Sequence, residues 1–384
     1  MTDNKNSLNW VQLLRGVAAL LVVLTHARYA LQNTAGYPIV DQMLAPGALG
    51  VDLFFIISGF IMCYSTADAD GSPAYVARFV IKRFARVWPA YAAAVLLAVY
   101  VIHDGVGYFH AADNRRAFWH TLGMLPFDPR HAPYFGLTLV IAWTLEFEMY
   151  FYLVFAASLL FRRLRWLALA AWVLLTVIVL PLGRRGFDMD ITRDLGYSTG
   201  YLSIVTSPFV LEFAAGVLIG WIYQQKWARI RSAPVARHVM WLGAAFALWA
   251  IYSHLIADHG PTRYGWPLAL MMLCVALGSK TVELRVPALC MWLGSISYSL
   301  YLTHLITQNF IMKTLVRVGL EPLFATWSYV FLSTACALSF AALFHHYLER
   351  GLSDIVRHRL LGLVTARPAA PALPAAGQIV RKTG

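Results

Sequence analysis

Residues 11–31 read VQLLRGVAALLVVLTHARYAL, and this stretch decides the fold. It is long enough to cross a bilayer as a helix, yet it carries Arg15 and His26 where lipid disfavours both, so each must face protein, water or a ligand. Eleven residues on a helix are about three turns. The two side chains therefore share one face, roughly 16 Å apart along the axis, too far to touch each other. They are placed to meet two ends of one long ligand, or to line one groove at two depths.

The rest of the chain has the same character. Of 384 residues, 59% are hydrophobic and only 13% charged, and the mean hydropathy is +0.61. A water-soluble globule of ordinary composition is excluded, and an all-α, polytopic membrane bundle is expected. Ten spans are expected, at about 11–31, 47–66, 87–103, 137–160, 165–183, 203–224, 236–257, 263–280, 288–312 and 322–345. The first span follows Lys5 as a signal peptide's core would. Arg15 interrupts its apolar run, however, and no small-residue cleavage site follows, so it is expected to be retained.

Alternating the sides of the loops gathers Arg78/Lys82/Arg83/Arg86, Arg162/Arg163/Arg165, Lys226/Arg229/Arg231/Arg237 and the basic C-terminal residues together. That side holds roughly twice as many Lys and Arg as the other. By the positive-inside bias it is cytoplasmic and carries both termini. The net charge of +12 is then mostly topology, and no segment is long and polar enough to form a nucleic-acid module. Cys63, Cys274, Cys290 and Cys336 lie in apolar segments without CxxC spacing and are expected to act as small hydrophobes. His110, His120 and His131 match no common ligand spacing, and no metal is expected. Two units are anticipated: a membrane domain over 8–348, and a cytoplasmic tail over 349–384, rich in Pro, Ala and basic residues and expected to be disordered after about Leu352.

Five further stretches join the Arg15/His26 pair: GVDLFFIISGFIM over 50–62, FVIKRFARVWPAY over 79–91, WTLEFEMYFY over 143–152, LEFAAGVLIG over 211–220 and LGSISYSLYLTH over 293–304. Together, and in this order, they resemble the membrane acyltransferase 3 family, ten-helix bacterial enzymes that acylate sugars and other hydroxyl compounds of the envelope. Without a fused soluble domain, and with this form of the fourth span, the chain is most similar to the exopolysaccharide-production branch. The resemblance implies a bacterial inner-membrane protein, acyl-CoA as donor, and a saccharide or lipid-linked saccharide as acceptor. One position departs from the family: Glu146 stands where a small or neutral residue is usual, while Glu148 falls on the usually acidic position. Residues two apart on a helix point about 200° apart, so the two cannot share one pocket, and the family role passes to Glu148 alone.

Acyl transfer to a hydroxyl needs a base, donors for the developing oxyanion and a seat for the acyl donor. The resemblance and its costly position make His26 the base; without the family it reads equally as an interfacial histidine ending its helix. Asp52, at matching depth on the next span, is expected to contact His26 and fix its tautomer, or else to serve its own helix start. Arg83 and Arg86, three residues apart and so on one face, suit the phosphates of the donor, or simply anchor the chain to anionic lipid. Arg15 would hold a more distal part of the donor, which predicts a continuous polar tunnel to His26. Glu212 and His304 are further ionisable groups in the membrane, assigned to the substrate. Tyr298, Tyr301 and Ser297 fit equally as interhelical hydrogen-bonding groups. An anion transporter is the rival reading, but transporters favour inverted repeats and paired broken helices, and no internal repeat is visible. A structural partner of polysaccharide export would leave His26 without a chemical task.

Overall fold

The computed structural model describes residues 8–184, 186–253 and 256–365. Among these the chain is helical and without strands. The helices are α1 (Asn9–Ala27), α2 (Tyr37–Leu44), α3 (Gly50–Ser65), α4 (Pro73–Val101), α5 (Ala112–Leu122), α6 (Ala142–Leu159) and α7 (Arg165–Val173), which runs on through a wide turn to Leu182. They continue with α8 (Gly200–Val205), α9 (Val210–Gln224), α10 (Ala233–Tyr252), α11 (Trp266–Ser279), α12 (Ala288–Arg317), α13 (Trp327–Phe344) and α14 (Arg350–Thr365). Among the described residues, seven helical stretches are long and apolar enough to cross a membrane: Asn9–Leu31, Tyr37–Ser65, Pro73–Val101, Arg162–Leu182, Ala233–Tyr252, Ala288–Arg317 and Trp327–Leu363. The protein is thus an all-α, membrane-integral bundle. Helices also stand at the other three expected positions. Of these, α9 and α11 are shorter, with 15 and 14 residues, and α6 carries Glu146 and Glu148.

Small residues set the packing, because in lipid no solvent drives helices together and close backbone contact must do so. At the crossing of α1 and α12, a Cβ on Gly16 would lie 2.8 Å from the Gly294 nitrogen. At the crossing of α3 and α9, a Cβ on Gly216 would lie 2.0 Å from the Ile56 carbonyl oxygen. Around these crossings the aromatic core is dense: Phe55, Phe147, Phe151, Phe155, Phe209 and Phe213 are buried in one apolar cluster.

α4 begins at Ser72, whose hydroxyl accepts the Tyr75 N–H at 3.1 Å, with Pro73 in the first turn. The helix bears the Arg78-to-Arg86 cations on its first half and holds Pro89 inside.

The tail departs from expectation. Where disorder is expected after Leu352, α14 continues to Thr365 and packs along α4. Leu352, Val356 and Leu360 are half-buried at helical spacing while Asp354, Arg357, His358 and Arg359 are exposed. This is an amphipathic stripe that the Pro/Ala-rich continuation hides in the composition. Residues 366–384 of the expected tail lie outside the described residues.

Candidate active site

Helices α1, α3, α4, α6 and α12 line a chamber, partly open to solvent, of about 740 Å³, bordered by Arg15, Ser58, Arg83, Arg86, Thr144, Glu148, Tyr152, Tyr298 and Tyr301 among apolar side chains. The three arginines assigned to one donor therefore meet in one space. Glu148 accepts hydrogen bonds from Ser58 Oγ at 2.8 Å and from the Tyr152 hydroxyl. Arg83 donates to Ser65 Oγ at 3.0 Å and packs over the Phe79 and Tyr152 rings. Arg15 has a long 3.4 Å contact to Gln12 and lies in the field of Arg86, Glu148 and Glu349. Its guanidinium donors are thus largely uncommitted to other side chains. The chamber adjoins a vestibule of about 820 Å³ whose charged lining residues, Arg78, Lys82, Arg83 and Arg86, are all cationic.

Two residues from Glu148, Glu146 points away. It is buried with no hydrogen-bond partner among the described residues and does not line the chamber. The 200° separation expected from helix geometry is what the structure shows.

At the opposite end of α1, His26 lines a different cavity of about 510 Å³ with Tyr29, Gln308, Asn309 and Tyr329. His26 Nδ1 contacts the Val22 carbonyl oxygen at 2.8 Å, and His304 Nδ1 contacts the Tyr301 carbonyl oxygen at 2.7 Å. The two rings stand 5.0 Å apart between centroids. A carbonyl oxygen only accepts, so each neutral ring carries its proton on Nδ1 and its lone pair on Nε2.

Among the described residues, the cavities at Arg15 and at His26 do not join into the expected tunnel. The two cavities share no lining residue, and Tyr301 stands between them, 5.8 Å from the Phe54 ring and 5.9 Å from that of His304. Tyr301 is fixed there by a 2.8 Å hydrogen bond between its hydroxyl and Thr144 Oγ1.

The expected Asp52–His26 contact is also corrected. Asp52 is fully buried, and its Oδ2 lies 2.6 Å from His259 Nδ1, while its Oδ1 accepts the Gly260 N–H at 2.8 Å. The cause is the α1–α3 crossing. Gly50 faces α1, where a Cβ would lie 2.4 Å from the Ala18 carbonyl oxygen. Asp52, two residues on and about 200° around the helix, faces α9 and the 256–265 segment instead. Glu212 of α9 sits in the field of Asp52, buried and without a hydrogen-bond partner among the described residues, and it lines neither cavity above.

His259 carries no signal in the sequence because it lies in the short polar stretch Asp258-His259-Gly260-Pro261, which reads only as a turn between spans. Trp143, Phe209 and Tyr264 surround its ring at 6.1 to 6.2 Å between centroids. Burial works against its protonated form, but the Asp52 carboxylate, supported by Asp258, more than offsets this and raises its proton affinity above that of free histidine.

A membrane bundle with cationic and acidic groups gathered in one chamber, and histidines with available Nε2 lone pairs nearby, has the parts of a group-transfer enzyme. The family described as an acyltransferase domain matches residues 8–346, and the chain belongs to it. It is 30% identical to the exopolysaccharide production protein ExoZ of Rhizobium meliloti over 281 residues, 71% of this chain and 80% of that protein. It is 26% identical to the acyltransferase MdmB of Streptomyces mycarofaciens over 289 residues, 67% of each. It is 23% identical to the peptidoglycan O-acetyltransferase OatA of Listeria monocytogenes over 329 residues, 75% of this chain but about half, 51%, of that longer protein. No solved structure matches the chain at a significant level. The protein is an acyltransferase.

Proposed function

We propose that this acyltransferase moves an acetyl or other short acyl group from acyl-CoA to a hydroxyl of an exopolysaccharide or other cell-envelope saccharide, free or lipid-linked. It would do so as a multi-pass protein of the bacterial inner membrane with both termini cytoplasmic. The observation that carries the donor assignment is the all-cationic vestibule opening on the chamber that holds Arg15. A polyphosphorylated thioester has its charge at one end and its reactive carbonyl at the other, which suits a cationic mouth and a mixed aromatic and polar interior. The acceptor class is supported by the likeness to ExoZ and OatA.

In this reading Arg83 and Arg86 hold the donor phosphates and Arg15 holds a segment deeper in. The thioester reaches His26 when Tyr301 and Phe54 give way. His26 Nε2, with its lone pair fixed by the Nδ1 contact to Val22, removes the proton of the acceptor hydroxyl. Glu148, braced by Ser58 and Tyr152, sets the polarity of the chamber. His304 positions the acceptor from the neighbouring helix, its ring 5.0 Å from that of His26.

Mass spectrometry of the surface polysaccharide from strains with and without the protein tests this. A loss of one acetyl per repeat in the deleted strain is the expected result. An unchanged polysaccharide, with no transfer of label from acetyl-CoA in isolated membranes, would refute it.

A further inference from the structure

Three imidazoles stand at the His26 end with Nδ1 tied to an oxygen: His26 to Val22, His304 to Tyr301 and His259 to Asp52. They differ in how well their surroundings accommodate a second proton. A protonated His26 would be a cation whose fixed partner is one backbone carbonyl, beside a second imidazole 5.0 Å away that gains nothing from shared positive charge. Such an unpaired buried charge is costly to hold. A protonated His259 would instead form a charge-assisted pair with a carboxylate that is already aimed, because the Gly260 N–H holds its other oxygen. His259 keeps 11% of its side chain exposed where Asp52 keeps none, and its Nε2 has no hydrogen-bond partner among the described residues. It therefore joins a buried carboxylate to accessible space. It also lies within electrostatic range of His26.

We infer that Asp52 and His259 form the proton sink of the transfer reaction, receiving the proton that His26 takes from the acceptor and passing it to solvent. This rests on the acyltransferase reading above, with His26 as base. In the step, the acceptor O–H bond breaks and its proton goes to His26 Nε2. The oxygen's electron pair forms the new C–O bond, and the C–S bond breaks with its pair on sulfur. The proton then moves from His26, through a bridging water or a second hydroxyl of the acceptor, to His259 Nε2 and out to solvent. The thiolate takes its proton from solvent at the vestibule end. The groups facing His259 are Asp52 of α3, Glu212 of α9 beyond it, Asp258 and Tyr264 of its own segment, and His26 of α1.

The test supplies radiolabelled acetyl-CoA to inverted membrane vesicles that contain the full chain and the endogenous acceptor, with the pH equal on both sides. His259→Gln and Asp52→Asn should each slow incorporation on the order of a hundredfold, with the dependence on acetyl-CoA concentration unchanged. Protonated His259 cannot receive a proton, so the wild-type rate falls as pH drops through its pKa. In Asp52→Asn the carboxylate that raises this pKa is gone, so the acid limb should move to lower pH. Imidazole in the buffer should partly rescue His259→Ala. The inference is overturned by His259→Gln at wild-type rate with an unmoved limb. It is equally overturned if the loss comes with weakened acetyl-CoA dependence and no rescue, which would make the pair a structural pin for its loop. If His26→Ala also retains the wild-type rate, the base assignment itself has failed; if His26→Ala is inactive while His259→Gln is normal, only the proton sink falls.

Discussion

Removing the guanidinium groups of Arg83 and Arg86 together should weaken donor binding by a predictable amount. Arg83 is half-buried and already braced by Ser65 and the Tyr152 ring, so a phosphate contact there is preorganised and worth about 1.5–2 kcal/mol. Arg86 is exposed, and screening limits its contact to about 0.5–1 kcal/mol. The double variant Arg83→Ala/Arg86→Ala should therefore lose roughly 2–3 kcal/mol, or about 30- to 150-fold in CoA affinity. Most of that loss should appear in Arg83→Ala alone. Calorimetry with CoA on the full chain in lipid nanodiscs reads this directly, and a salt series adds a second signature: wild-type affinity should fall with ionic strength more steeply than that of the double variant. A correctly inserted double variant with unchanged CoA affinity would refute the assignment and leave these arginines as topology signals.

His26→Ala should insert normally yet abolish transfer, and Glu148→Gln should lose more activity than Glu146→Gln because only Glu148 lines the chamber; turnover with saturating acetyl-CoA decides both. Gly216→Ala should cost about 1–3 kcal/mol, since its Cβ would sit 2.0 Å from the Ile56 carbonyl oxygen, whereas Gly362→Ala, with open space at its Cβ, should stabilise by about 0.5–1 kcal/mol; thermal unfolding in detergent compares them. In the 126–136 segment, the Arg130 side chain, then its backbone N–H and then His131 hold Asp128 well below the usual carboxylate range. A depressed carboxylate stabilises the fold above its unfolded pKa of about 4 and loses that contribution as pH falls through the folded value, so limited proteolysis of this segment should accelerate only on acidification below about pH 4.

Fold class and much of the chamber could be read from the chain alone. Apolar runs of bilayer length leave little choice but helices, since each backbone polar group in lipid must be satisfied within its own segment. Arg15, the Arg83/Arg86 spacing and the Glu146/Glu148 alternation were legible for a related reason. Helix periodicity assigns faces locally, and an ionisable group in a membrane has to face something. Which helices face each other was not legible, because that depends on crossings set by close contacts such as Gly50 against Ala18 and Gly16 against Gly294. A matching depth for His26 and Asp52 suggested a pair, yet a rotation of about 200° between Gly50 and Asp52 turned the carboxylate away from α1 and onto His259. His259 is one polar residue in a turn, and it acquires a partner 207 positions away only when α3 and the 256–265 segment pack. The helix in the tail is hidden in the sequence for the complementary reason: composition averages over a Pro/Ala-rich end, while the stripe of Leu352, Val356 and Leu360 matters only against the surface of α4. The interruption at Tyr301 and Phe54 likewise exists only in three dimensions, because two aromatic rings from α12 and α3 must meet before either can close the space between Arg15 and His26.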